Sequence, residues 1–285
     1  MNAAAFVAAA FIAAAFIAAC REELEAPKPG NVHVFAAGHG MDIADFLASA
    51  DAAAPFIAEP RASVGGRIEA AVAATWKTVG KNTNLGIVLL CAPLAAAAPT
   101  GDLQAGVAKI LAGLDRQDAN LAFAAIRRAA PAGLGRSAVH DVHAEADCTL
   151  LQAMQAASAS DRIAWNYANG FHDIFGPGLQ ILRQARLAHA PAWWPTLRVY
   201  MHYLAAFPDS HVARKFGLLR AQEVQARAAL LSKPLAVGTE AAALLPSLLA
   251  LDADLKKAGL NPGTSADLTV ATLFAERLIA HRQSS

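Results

Sequence analysis

Apolar residues along this chain come in blocks of helical length, separated by short polar or Gly/Pro-bearing turns, and strict polar/apolar alternation is largely absent. The first block starts at Ala3 and sets the bulky pairs Phe6/Val7, Phe11/Ile12 and Phe16/Ile17 in alanine. It runs without a break into Arg21-Glu22-Glu23-Leu24-Glu25, so one helix is predicted to about Glu25, stopped by Pro27 and Pro29. Asp42 is placed to N-cap the next helix, with Asp45 at the third helical position completing a box-like start. Another helix is predicted over Gly66 to Val79, and the turn Gly80-Lys81-Asn82-Thr83-Asn84 opens a strongly apolar one from Leu85 to Ala98. Further helical stretches fall at 102–114, 118–129, 147–157, 160–171, 176–188, 192–206, 211–231, 237–258 and 265–281. No linker, charge block or internal repeat interrupts them. The pattern predicts an all-α fold, a single domain over 1–285 built as a multi-helix bundle of about ten helices.

Composition sharpens this reading. Hydrophobic residues make up 55% and charged residues only 16%, and alanine, the best intrinsic helix former, supplies much of the excess. A formal net charge of +1 gives no general attraction to nucleic acid or an anionic membrane, so an anionic substrate must be held by local basic groups. The three cysteines are far apart, with no metal-type or disulfide spacing, which fits a reducing, cytoplasmic compartment. Ala3 to Cys20 approaches the ~20 apolar residues of a membrane span. No Lys or Arg precedes the run, and it is expected to be a buried core helix.

Four loop-to-helix segments concentrate polar groups. In the first, Lys28, Gly30, Asn31 and His33 follow two prolines, and serve either as a ligand-approaching loop or as a plain helix terminator. In the second, after His39, residues Asp42, Asp45 and Ser49 share a helix face. Paired carboxylates there suit Mg²⁺ on ATP phosphates, or merely complement the helix dipole. In the third, Lys81, Asn82 and Thr83 precede a helix start of the kind that binds phosphate, and Glu69 lies on the helix before it. No Walker loop is present. In the fourth, Asp209 or Ser210 caps a helix that displays His211, Arg214 and Lys215 near its beginning, where cations oppose the macrodipole unless an anion binds or the long side chains simply reach water. His140, His143 and Glu145 have no defined ligand geometry, and no GxSxG elbow supports a hydrolase.

Taken in order, five motifs resemble the triphosphoribosyl-dephospho-CoA synthase family. They are Glu25 with Pro27-Lys28-Pro29-Gly30; Gly38-His39 to Asp42 with Phe46 to Ser49; Asn82-Thr83 with Gly86 and Leu89-Leu90-Cys91; Asp209-Ser210-His211 with Arg214; and Asn261 to Leu268. The resemblance implies an all-α, ATP-using transferase that joins the 2′-hydroxyl of 3′-dephospho-CoA to C1 of the ATP ribose and expels adenine. Such a displacement needs cations and Mg²⁺ on the triphosphate, a base for the hydroxyl and a proton for adenine. It implies Lys28, Lys81, Arg214 and Lys215 on phosphates, with Gly30, Asn31, Ser49, Asn82, Thr83, Gly263, Thr264 and Asp267 completing the nucleotide site. Asp42 and Asp45 would hold Mg²⁺, Glu69 or Asp209 act as base, and His33, His39 or His211 as proton donor. The implied partners are small molecules, a nucleotide and a phosphorylated acceptor, with no nucleic acid and no membrane; a homodimer is the candidate assembly.

The chain departs from the citrate-lyase branch of that family. Asn84-Leu85 stand where that branch has His-Lys, Asn31-Val32-His33 where it has Leu-Val-Asp, and Arg214-Lys215-Phe216-Gly217 where it has Arg-Gly-Gly. It is more similar to the divergent branch of archaea and one-carbon-using bacteria. Two alternatives stay open: a transferase or ligase of one-carbon carrier cofactor (methanopterin or methanofuran) biosynthesis, and a non-catalytic nucleotide- or CoA-binding helical protein. If the site is right, Lys28, Asp42, Asn82, His211 and Arg214 should face one cavity.

Overall fold

A computed structural model describes residues 3–36, 38–131, 133–137, 139–236 and 241–283. Among them there are no strands and fourteen α-helices: α1 (Ala3–Glu25), α2 (Ile43–Ile57), α3 (Val64–Val79), α4 (Leu85–Ala97), α5 (Leu103–Ala112), α6 (Arg116–Ala129) and α7 (Leu150–Ala157). The second half holds α8 (Arg162–Ala168), α9 (Leu179–Arg186), α10 (Trp194–Ala206), α11 (Ser210–Phe216), α12 (Leu218–Ala236), α13 (Ala241–Lys257) and α14 (Gly263–Gln283). The all-α expectation holds, but the count of about ten is too low. The predicted stretch 211–231 is two helices, because Gly217 sits at φ +90° with extended ψ and breaks the run between α11 and α12. The stretch 176–188 opens as a π turn, Ile174–Gly178, around Pro177, whose missing N–H cannot continue a regular ladder. Part of the stretch 237–258 lies outside the described residues.

Helix starts follow the capping chemistry read from the sequence. Asp42 accepts the Asp45 N–H at 2.9 Å while Asp45 accepts the Asp42 N–H at 3.1 Å, a reciprocal capping box. Asp115/Asp118 and Thr149/Gln152 repeat the device at α6 and α7. The last helix, α14, serves two hydrophobic clusters. Leu268, Leu273 and Phe274 join Phe16, Ile68 and Leu90 in the first, while Ala266 joins Tyr200, Leu204 and Leu255 in the second. The first helix matches its predicted span but only partly its predicted burial. Phe16, Ala19 and Leu24 are buried, whereas Phe6 and Val7 are about 60% exposed. By length and composition this helix could cross a bilayer.

Small residues let the helices approach closely. Helix α3 packs between α2 and α6. At the α3–α6 contact a Cβ on Gly65 would lie 2.5 Å from the Asp118 backbone, and the Gly65 N–H donates to Asp118 Oδ1 at 2.7 Å. Gly65→Ala is therefore expected to overpack this crossing and cost about 1–3 kcal/mol. Urea unfolding should show a lower midpoint at unchanged slope.

Candidate active site

A cavity of about 1330 Å³ opens where α4, α8, α11 and α14 begin, flanked by α6, α7 and the loop after α6. Its floor is the start of α4. Asn84 N-caps that helix without a side-chain cap bond, and donates instead to Thr75 Oγ1 at 3.0 Å. Asn82 takes the Leu85 N–H at 3.3 Å. The next amides, Gly86 and Ile87, have no preceding turn to donate to and line the cavity, which suits a phosphate.

One buried carboxylate fixes the opposite wall. Asp209 accepts from His211 N (3.0 Å), Val212 N (3.2 Å), Ser265 N (2.8 Å) and Ser265 Oγ (2.8 Å). It thereby fastens the start of α11 to the start of α14. This brings His211 onto Gly263, its ring filling the space a Cβ there would need. One turn further, the guanidinium of Arg214 donates to Asp161 Oδ2 at 3.0 Å. Because α11 ends at Phe216, Arg214 and Lys215 belong to its last turn, where cations are favourable. The expected conflict with the dipole does not arise.

Two acids face the same space. Glu23 lines the cavity from α1 while bound to Lys28, which is itself fully buried and donates to Asn31 Oδ1 at 3.0 Å. Asn31 in turn donates to Asn261 Oδ1 at 2.8 Å. Burial pushes the Glu23 carboxyl up, against the pull of Lys28. Asp267, on the second turn of α14, lies across Gly86, in the space a Cβ there would take. Among the described residues no hydrogen-bond donor reaches its carboxyl. Burial first, then the charges of Asp209, Glu23 and Asp161, hold it well above the usual carboxylate range. The nearby histidines move the other way. Burial and the cations Arg214 and Lys215 pull His211 down to about 4, and burial lowers His39, whose Nε2 lies 2.8 Å from the Gly30 carbonyl oxygen.

The structure gathers Asn31, His39, Asn82, Thr83, His211 and Arg214 around the cavity, together with Lys215, Gly263, Thr264 and Asp267. It does not gather the rest. Lys28 stands behind Glu23, and Gly30 turns at φ +83° against Pro262. His33 is buried against Asp252 and Lys256. Ser49 bonds Thr83 Oγ1 at 2.6 Å from behind. Lys81 pairs with Asp45 at 2.7 Å on the outer surface, so it does not replace the cation missing at position 85. Asp42 and Asp45 form the capping box, Asp45 also pairs with Lys81, and neither lines the cavity. Glu69 pairs with Arg128 on the exterior. Asp209 holds two helices together and has no acceptor left for a substrate proton. Of the five residues expected to converge, Asn82, His211 and Arg214 do, and Lys28 and Asp42 do not.

Sequence reasoning missed Glu23, Asp161 and Arg162. Glu23 continues the buried stripe of Phe16 and Cys20 at helical spacing, a signal that was available. Arg162 lies over the rings of Trp165 (3.7 Å to the centroid) and Phe207 (4.5 Å) and makes two 2.8 Å bonds to Asp173. That arrangement has no local pattern.

An all-helical scaffold that brings helix-start amides, the cations Arg214 and Lys215, the buried Glu23 and the partly buried Asp267 to one large cavity has the makings of a nucleotide-dependent transferase. Residues 9–285 match the model of the CitG family, ATP:dephospho-CoA triphosphoribosyl transferase, and the chain belongs to that family. Its fold is similar to the crystal structure of an Archaeoglobus fulgidus protein assigned as a triphosphoribosyl-dephospho-CoA synthase. The two are 25% identical with a TM-score of 0.63, over 80% of this chain and 96% of that one. No curated protein matches the sequence. The chain is an ATP-dependent triphosphoribosyl transferase.

The depressed His211 makes a test of the site's electrostatics. Between its ordinary value of 6.5 and about 4 the unfolded chain binds a proton that the folded one refuses. Stability should therefore fall as pH drops through this window. Denaturation at several pH values should show a shallower decline in His211→Gln.

Proposed function

We propose that the cavity binds ATP with its triphosphate on the α4 amides, Arg214 and Lys215, and transfers the triphosphoribosyl group to the 2′-hydroxyl of 3′-dephospho-CoA. The observation that carries this reading is the convergence on one cavity of the α4-start amides Gly86 and Ile87, the cations Arg214 and Lys215, and the carboxyls of Asp267 and Glu23. In the reaction the acceptor oxygen bonds to C1 of the ribose as the bond from C1 to the adenine nitrogen breaks, and the triphosphate stays attached. Asp267 gives its proton to the departing adenine. Glu23 takes the proton of the attacking hydroxyl, and Lys28 and Asn31 orient Glu23. His211 and His39, uncharged near neutral pH, orient substrate by hydrogen bonds and do not act as the acid. Magnesium, where it accompanies ATP, arrives on the triphosphate, and Asp42 and Asp45 play no part in holding it. Asn84 and Leu85, which replace the His-Lys of the citrate-lyase branch, are used to build the helix start. Arg214 and Lys215 supply the charge from across the cavity.

Incubation with ATP, Mg²⁺ and dephospho-CoA should release free adenine. ADP, AMP or pyrophosphate appearing instead would contradict the reaction. Because Asp267 works protonated, kcat should fall as pH rises through its pKa. Asp267→Asn should lower kcat by about 10²–10⁴-fold and remove that alkaline limb. An unchanged limb would exclude Asp267 as the proton donor.

A further inference from the structure

Helix α6 ends at Ala129 and α7 begins at Leu150, and the described residues between them form no helix. Connections longer than about 12–15 residues without secondary structure of their own are uncommon in compact domains, and are usually functional or disordered. Among the described residues of this one only Ala146 and Cys148 are buried, so apolar burial does little to hold it. Its fastenings are polar and come from α6: Asn120 Oδ1 accepts the Ala146 N–H at 2.8 Å, and Arg116 pairs with Glu145 at 3.1 Å. Even so, Leu134, Ser137, His140 and Asp141 of this loop line the cavity.

The loop doubles back on itself. Asp141 Oδ1 accepts the His143 N–H at 2.9 Å, and the Asp141 carbonyl accepts the Ala144 N–H at 2.9 Å. His140 stands at φ +51°, a left-handed conformation uncommon outside glycine. The reversal sets His140 Nδ1 2.7 Å from Asp147 Oδ1, and one ligand atom from each of His140, Asp147 and Cys148 lies within 4.8 Å of the other two. Among the described residues no other three histidine, cysteine or acidic side chains meet so closely. The sequence groups His140 with His143 and Glu145, but the fold separates them: His143 is exposed and Glu145 is held by Arg116.

We propose that His140, Asp147 and Cys148 bind one zinc ion, which keeps a fourth position for water and ties the loop to the start of α7. An imidazole nitrogen, a carboxylate oxygen and a thiolate sulfur are the donors zinc accepts, at about 2.0–2.3 Å, so that ligand atoms in a tetrahedral site stand about 3–4 Å apart. Side-chain rotations within the trio reach that spacing. Thiolate and imidazole select against Mg²⁺, which takes oxygen ligands, so this ion is distinct from any magnesium that accompanies ATP. On binding, the Cys148 thiol releases its proton to solvent, and the His140 ring coordinates in its neutral form with its proton on the other nitrogen. The exposed Asp147 leaves the hydrated ion a way in, while Cys148 is buried.

The site does not depend on the transferase reading, and its test needs no catalysis. The full chain is stripped with a chelator and titrated with Co²⁺, a coloured substitute for zinc. One equivalent should bind, with a thiolate-to-metal charge-transfer band and the visible bands of a tetrahedral ion, and Zn²⁺ should bleach both. Cys148→Ser should remove the charge-transfer band and weaken Zn²⁺ binding at least about 100-fold, since a direct ligand is worth more than an outer-shell partner. His140→Gln should weaken it about tenfold or more, with His143→Gln and Glu145→Gln within about twofold of the native chain. Zn²⁺ should raise the melting temperature of the native chain and leave that of Cys148→Ser unmoved. If Cys148→Ser does not fold, Asp147→Ala, at an exposed position, is read in the same way through Zn²⁺ affinity. A missing charge-transfer band at one equivalent of Co²⁺, or a band that persists in Cys148→Ser, would overturn the site. Either result leaves the release of adenine from ATP as a separate question with its own assay.

Discussion

Much of this molecule hangs on a single buried carboxylate. The four hydrogen bonds of Asp209 join the beginning of α11 to the beginning of α14, on the elements that bring His211, Arg214 and Asp267 to one cavity. A charge buried to this degree is tolerable only because every lone pair it offers is used. The cost of burying it is repaid in geometry, for the two helix starts it locks are the two that carry the reacting end of the cavity. The absence of a Cβ at Gly86 and Gly263 completes the arrangement, because the Asp267 carboxyl and the His211 ring occupy those spaces.

The low dielectric that this packing creates also sorts the ionisable groups. Burial, then Arg214 and Lys215, lowers His211, while burial, then the neighbouring acids, raises Asp267. Burial raises both Asp267 and Glu23, and among the described residues only Glu23 is paired with a cation, Lys28, that draws its carboxyl back down. Lys28, read from sequence as a phosphate grip, instead stands behind Glu23 and pulls its carboxyl down against the effect of burial.

The helices were legible because alanine-rich blocks with caps leave little freedom in reading their ends: the Asp42 box and the Asp209 cap were both visible locally. The break at Gly217 was not, since a lone glycine in a helical pattern usually costs stability without ending the helix. That one missed break also reversed the reading of Arg214 and Lys215, from cations at the wrong helix end to cations at the right one. Around the cavity, motif order located Asn82, His211, Arg214 and Asp267 but also brought in Asp42, while Lys81 and Glu69 were added from residue type and neighbouring position. Lys81 and Glu69 are held in surface pairs with residues distant in sequence, Asp45 and Arg128, and Asp42 caps its own helix. Glu23 was hidden in a charge-rich stretch whose helical phase, not its composition, turns one glutamate inward.

The sharpest test of this account is a diffraction structure of the protein with ATP bound. It should show the triphosphate on the Gly86 and Ile87 amides and on Arg214, with the adenine within hydrogen-bond reach of Asp267. A nucleotide seated at Asp42 and Lys81, or one whose adenine lies away from Asp267, would contradict it.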